Sequence, residues 1–290
     1  MEDRSIHLAA PCPWPPVESF VVDSARLGRK LQISLAGKAH DADGGTTTVV
    51  YLLDPSFNLM AASTIVAFLE SFASLAGSKF PSVVIAGIGY EAQDPRQVMA
   101  LRARDLTPTA EPGEAVSLPP LQFGGAATFL SALTEEVVAA VERRLGAGKV
   151  TRVLAGHSFG GLFALFALLR QPDAFAGYIA LSPSLWWNDR IVLREAMAWQ
   201  PVAVARRVPV FLAVGEKEQA AGGGWRNENF PDESIRRLRQ VENFRELVAI
   251  LAAPEKQLTL DSVVLADEYH LTVFPAVFGR ALRFVMDRLA

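Results

Sequence analysis

The stretch Val150-Thr151-Arg152-Val153-Leu154-Ala155-Gly156-His157-Ser158-Phe159-Gly160-Gly161-Leu162-Phe163-Ala164-Leu165-Phe166 decides how the rest of the chain is read. A short apolar run has the character of a buried strand. Gly-x-Ser-x-Gly follows at once, and then an apolar run of helical length. Strand, sharp turn and helix in that order form the setting in which a serine hydroxyl is lifted clear of a sheet. Gly156 and Gly160 would omit side chains where the tight turn brings backbone together. The helix after Ser158 would aim its first amides at a centre where negative charge develops. The pentapeptide alone is generic and would also suit an ordinary Gly-rich turn; the flanking pattern favours a nucleophile.

Composition narrows the rest. The chain has 290 residues, half of them hydrophobic, and a formal net charge of -3. That is enough apolar material for one large α/β domain over 17–290, preceded by an irregular, Pro-rich arm over 1–16. There is no global basic field, so nucleic acid is not an expected partner. Cys12 is the sole cysteine, which rules out an intrachain disulfide framework. The start Met-Glu-Asp-Arg-Ser-Ile-His lacks a basic then apolar leader, and no apolar run suggests a membrane span, so a cytoplasmic location is expected. The histidines are scattered and no phosphate-cradling glycine loop occurs, so neither a metal site nor a cofactor is expected.

Outward from the elbow, strands and helices alternate. Runs 17–22 and 31–35 read as an antiparallel hairpin turned near Gly28, and 37–46 as a polar loop in which His40 is a surface residue. Runs 47–53, 83–88, 177–181, 208–214 and 258–265 read as strands. Helical spacing covers 61–75, 124–145, 234–251 and 274–289, with another helix ending near Trp199. Phe129, Leu133, Val137, Val141 and Leu145 recur every four residues, and Gly146 stops that helix. Residues 91–122 break periodicity and form a long functional excursion. The expected architecture is a mostly parallel central sheet with helices on both faces and an antiparallel N-terminal edge.

A serine needs a base, and the base an orienting partner. Of His7, His40, His157 and His270, only His270 follows the last strand, at the sheet end where such sites assemble. The chain order nucleophile, acid, histidine then places the acid after the strand ending at Val214. Glu218 is the first candidate; Glu216 and Asp232 remain open, as does a Ser-His pair without an acid. The amide of Phe159 and one from the loop after Leu53 would hold the oxyanion. Pro55 has no N–H, so Ser56 is the second donor.

Several segments together resemble the putative-esterase family of α/β-hydrolases, and within it the bacterial trilactone siderophore esterases. They are Tyr51-Leu-Leu-Asp-Pro-Ser-Phe-Asn-Leu-Met60, Val84-Ile-Ala-Gly-Ile-Gly-Tyr90, Arg102-Ala-Arg-Asp-Leu-Thr-Pro-Thr109, Gly156-His-Ser-Phe-Gly-Gly161, Ser182-Pro-Ser-Leu-Trp-Trp-Asn188 and Glu268-Tyr-His270. The resemblance implies an α/β-hydrolase fold, Ser158 as nucleophile and His270 as base. It also implies Arg102 as a holder of an anionic substrate group, with Trp186 and Trp187 flanking an aromatic acyl portion. The substrate it implies is a small ester such as a ferric siderophore. Pro55 stands where the family usually has Gly. Two other readings share these residues: a generalist short-acyl esterase or acyltransferase, and a binding protein that has lost catalysis.

Overall fold

Each apolar run becomes a strand of one sheet in the computed structural model, which describes residues 16–39, 45–78, 80–92, 94–111, 113, 121–201, 207–219 and 232–289. The expectations for the N-terminal arm, Cys12, His7 and His40 fall outside these residues. Among the described residues the strands are β1 (Val17–Ser24), β2 (Arg29–Ala36), β3 (Thr46–Leu53), β4 (Val83–Tyr90), β5 (Lys149–His157), β6 (Gly177–Leu181), β7 (Val208–Gly215) and β8 (Leu258–Leu265), in the spatial order β1-β2-β4-β3-β5-β6-β7-β8. β1 and β2 pair antiparallel, as do β2 and β4; every later pairing is parallel. The α/β-hydrolase architecture is therefore present, antiparallel edge included.

The helices are α1 (Pro55–Leu75), α2 (Pro95–Asp105), α3 (Ala126–Ala132), α4 (Val138–Leu145), α5 (Phe159–Arg170), α6 (Trp187–Ala198), α7 (Asp232–Leu238), α8 (Gln240–Leu251) and α9 (Val273–Leu289). They divide the core in two. Alternate strand residues such as Val50, Val153, Ala155 and Phe211 pack under α1 and α9. Their neighbours Tyr51, Leu154 and Leu212 pack with the hairpin, α3, α5, α6 and α8. α5 is apolar on nearly all sides and nearly all buried, as a helix enclosed by protein must be.

Three element boundaries differ from the sequence reading, each for a local reason. Helix α1 starts at Pro55, not near 61, because Asp54 turns the chain in a left-handed conformation (φ 57°) and proline suits the first helical position. Helix α2 lies inside the stretch read as aperiodic; Asp94 caps it by accepting from the Arg96 amide at 2.9 Å, and Pro95 again leads. The helix expected over 234–251 is two, broken where Arg239 takes φ 49°.

Between α3 and α4 the chain makes a π-helical turn, Leu133–Val137. The four-residue spacing asks for it. An α-helix repeats every ~3.6 residues, so side chains four apart drift around its axis. A wider turn gives back the lost rotation and keeps Phe129, Leu133, Val137 and Val141 buried on one face.

By length and composition α1 could cross a membrane, which departs from the expectation of no such segment. Here it packs on β4 and α9 through one face and leaves Phe57, Met60, Phe68, Phe72 and Leu75 exposed on the other.

Candidate active site

Ser158 sits between β5 and α5 with φ 60° and ψ −120°, a strained conformation for a residue with a side chain. Neighbouring backbone over-determines it. Its amide donates to the Leu181 carbonyl at 3.0 Å, and its carbonyl accepts from Leu162 at 2.9 Å and Ser184 at 3.2 Å. A methyl group on Gly156 would lie 2.3 Å from the Gly160 carbonyl carbon and oxygen, so the crossing of strand and helix tolerates no side chain there. Among the described residues, Ser158 Oγ takes part in no hydrogen bond. A catalytic contact of this kind can tighten only when substrate binds.

His270 and Glu218 are brought together. His270 Nδ1 lies 2.7 Å from Glu218 Oε2. The other carboxylate oxygen, Oε1, accepts from the Ser182 hydroxyl at 2.5 Å and the Gly215 amide at 2.7 Å. The Glu218 side chain is almost wholly buried, while that of His270 is 39% exposed, so the ring stands between a fixed carboxylate and the open side. Glu216 is used otherwise: its Oε2 accepts from the Asp267 amide at 3.2 Å. Asp232 opens α7, and its side chain lies outside those described.

The segment carrying His270 is tied to the end of β7. The Lys217 amide donates to the Glu268 carbonyl at 3.0 Å. A methyl on Gly215 would meet that carbonyl oxygen at 2.4 Å, so only glycine admits the approach.

His157 joins the same group. Strand alternation places it on the α9 face of the sheet, alongside Val153 and Ala155. Its Nε2 lies 2.7 Å from the His270 carbonyl oxygen, and the two rings are 4.7 Å apart. Burial first, and then the nearby His270, hold His157 well below the ordinary imidazole range of 6.5. It is therefore neutral, and because a carbonyl only accepts, its proton is on Nε2. Neither His157 nor Ser182 stood out in the sequence as a partner of the site. The only signal was their place within the two motifs.

The candidate oxyanion donors are both helix N-termini. Phe159 is the first residue of α5 and Ser56 the second of α1, positions whose amides lack partners within their helix. Pro55 is accommodated where a bulkier residue on β4 would forbid it. A methyl on Gly87 would meet the Pro55 ring at 2.7 Å, and one on Gly89 at 3.0 Å. The Gly-x-Gly of β4 thus makes room for Pro55.

Arg102, on α2, is buried and braces these two helix starts. Its Nε lies 2.8 Å from Asp54 Oδ1, and its guanidinium sits 5.0 Å over the Phe159 ring. The Nε approach is an ion pair out of line for a hydrogen bond, and Asp54 Oδ2 has no partner. Burial outweighs the pull of the arginine and raises the Asp54 carboxyl above the usual carboxylate range. Asp105, on the same helix, pairs with Arg29 and Arg104 and not with Arg102. Trp187 has no exposed surface, and its indole N–H donates to Thr109 at 2.9 Å. Trp187, expected to flank substrate, is enclosed here and packs edge-on against Phe159. Trp186 is partly exposed and is the member of the pair with surface to offer. No cluster of metal-ligating side chains occurs among the described residues.

Residues 24–261 match the Esterase family, described as "Putative esterase". The chain is 30% identical to the siderophore triacetylfusarinine C esterase of Aspergillus fumigatus, over 96% of this chain and 95% of that one. It is 34% identical to the siderophore enterobactin esterase of Emericella nidulans, over 82% of each. Among solved structures it resembles the siderophore hydrolase EstA from Aspergillus nidulans, with TM-score 0.82, 27% identity and coverage of 98% and 100%.

Proposed function

The chain belongs to the putative esterase family, and from that premise we propose that it is a serine carboxylester hydrolase whose substrate is a siderophore ester or lactone. The observation that best supports this reading is the run of contacts from Ser182 through Glu218 and His270 to His157, ending one residue before Ser158. The names of the relatives supply the substrate class.

Ser158 Oγ attacks the ester carbonyl as His270 Nε2 takes its proton. Glu218 holds Nδ1–H and stabilises the imidazolium that forms. The amides of Phe159 and Ser56 receive the oxyanion. His270 then protonates the departing alkoxide, leaving an acyl-enzyme, and activates water to release the acid. Arg102 fixes the two helix starts that carry the oxyanion donors. An anionic substrate group would share Arg102 with Asp54, and Trp186 would face an aromatic acyl portion.

The test is turnover of p-nitrophenyl acetate, ferric enterobactin and ferric triacetylfusarinine C by wild type and Ser158→Ala, with products separated by chromatography. Cleavage by wild type of the simple ester and at least one siderophore, and of none by the variant, is the expected result. Cleavage of p-nitrophenyl acetate alone would overturn the siderophore assignment in favour of a generalist esterase. Equal turnover by the variant would remove Ser158 from the chemistry.

A further inference from the structure

The contact between His157 and His270 lies outside the steps above. His157 Nε2–H donates at 2.7 Å to the main-chain carbonyl of the residue read as the base. Glu218 takes hold of the same residue by its ring, at Nδ1. His270 thus has two anchors, on different atoms and from different strands: β7 through Glu218 and β5 through His157. The β5 anchor directly precedes Ser158, whose backbone is pinned by three hydrogen bonds.

We propose that His157 is a positioning residue that sets the distance between the base and the nucleophile, by clamping the His270 main chain to the strand that carries Ser158. The inference rests on the proposed Ser-His mechanism. A hydrogen bond from a residue adjacent to the nucleophile makes the separation depend on one rigid turn. Without it, the separation would be set only by way of β7, through Glu218 on the ring and the Lys217 amide on the Glu268 carbonyl. The charged and titratable groups that face His157 are His270, with Glu218 behind it, and Arg102, whose charge Asp54 balances. Placing a donor that stays neutral at this point adds no second positive charge beside the imidazolium formed in each half-reaction.

Full-length His157→Phe and His157→Gln are compared with wild type and Ser158→Ala on p-nitrophenyl acetate, reading kcat and KM separately. Circular dichroism and thermal melting confirm folding. Phenylalanine fills the site without a donor; glutamine can return an N–H near the position of Nε2. His157→Phe is expected to lower kcat roughly 10- to 100-fold with KM changed less than about threefold, as a small misplacement of a catalytic group does. His157→Gln is expected to recover most of the loss. A purely packing role would be satisfied by phenylalanine and not by glutamine, the reverse order. Folded His157→Phe with wild-type kcat, or a glutamine variant no better than phenylalanine, would overturn the proposal. If His157→Phe does not fold, His157→Asn, whose amide stops short of the carbonyl, is read the same way. Wild-type turnover by Ser158→Ala would instead remove the mechanism on which the proposal rests.

Discussion

Ser182 donates its hydroxyl to Glu218 Oε1 at 2.5 Å, from the end of the strand between the one leading to Ser158 and the one leading to Glu218. Ser182 is fully buried and held at φ 42°, so its side chain has little freedom to point elsewhere. Ser182→Ala should cost about 1.5–3 kcal/mol of stability, the range for a hydrogen bond to a charged group, and lower kcat roughly tenfold. Urea denaturation and ester turnover check the two halves; an alanine variant indistinguishable from wild type would leave Ser182 without a role.

Glu218→Gln tests the carboxylate more severely. Ser182 and Gly215 both donate to Oε1, so a glutamine must place its oxygen there. Its NH₂ group then faces His270 Nδ1, which favours the wrong imidazole tautomer. The expected loss in kcat is on the order of 10²- to 10⁴-fold, with little change in KM. A loss below about tenfold would mean that Ser158 and His270 work without the acid.

Gly156→Ala adds a methyl 2.3 Å from the Gly160 carbonyl, where both partners are backbone and neither can rotate away. The variant should lose about 3 kcal/mol or more and nearly all activity, since any relief moves the turn that holds Ser158. Thermal unfolding and turnover are the measurements, and an active alanine variant of normal stability would show that the crossing is looser than described.

The depressed His157 imidazole has a consequence for stability against pH. Its folded value lies below 6.5, while the unfolded chain takes up a proton near the ordinary value. Below about 6.5 the unfolded state therefore binds more protons. The contribution of His157 is complete above that pH and is lost on acidification, by up to about 1.4 kcal/mol per pH unit. Urea midpoints from pH 5 to 8 should fall more steeply toward acid for wild type than for His157→Gln; parallel curves would contradict the assignment of a neutral buried ring.

Asp54→Asn leaves the buried Arg102 without its carboxylate. Although burial already disfavours the Asp54 charge, a lone guanidinium in the same place is worse, and a loss of about 3 kcal/mol is expected. Arg102→Met in the same chain should return part of it. Calorimetry of the single and double variants decides; additive losses would mean that the pair is not coupled.

The strands, the mostly parallel sheet and the turn at Ser158 were legible because they depend on local pattern: apolar runs of strand length, Gly-x-Ser-x-Gly, and a helix after most strands. What the sequence left hidden has two origins. Some signals were present but weak, such as Asp94-Pro95 as a helix start within a stretch that looks aperiodic. Others are relations between distant residues that no spacing reveals. Glu216 and Glu218 look alike in the chain, and only the approach of Glu268 to Gly215 gives one of them to His270 and the other to an amide. Trp186 and Trp187 are adjacent and identical, yet Phe159 and Thr109 enclose one of them. Arg102 passes over the nearby Asp105 for Asp54, because α2 returns to the sheet beside the start of α1.

The parts of the candidate site come from the ends of β3, β5, β6 and β7 and from the link between β8 and α9, so they are drawn from residue 54 through residue 270. No piece of chain shorter than 54–270 contains them all. Contacts between such distant segments close late and slowly during folding, after loop entropy has been overcome. Recovery of ester cleavage after dilution from denaturant should therefore lag the recovery of helical signal, because turnover needs His270, which joins the site from the link after β8.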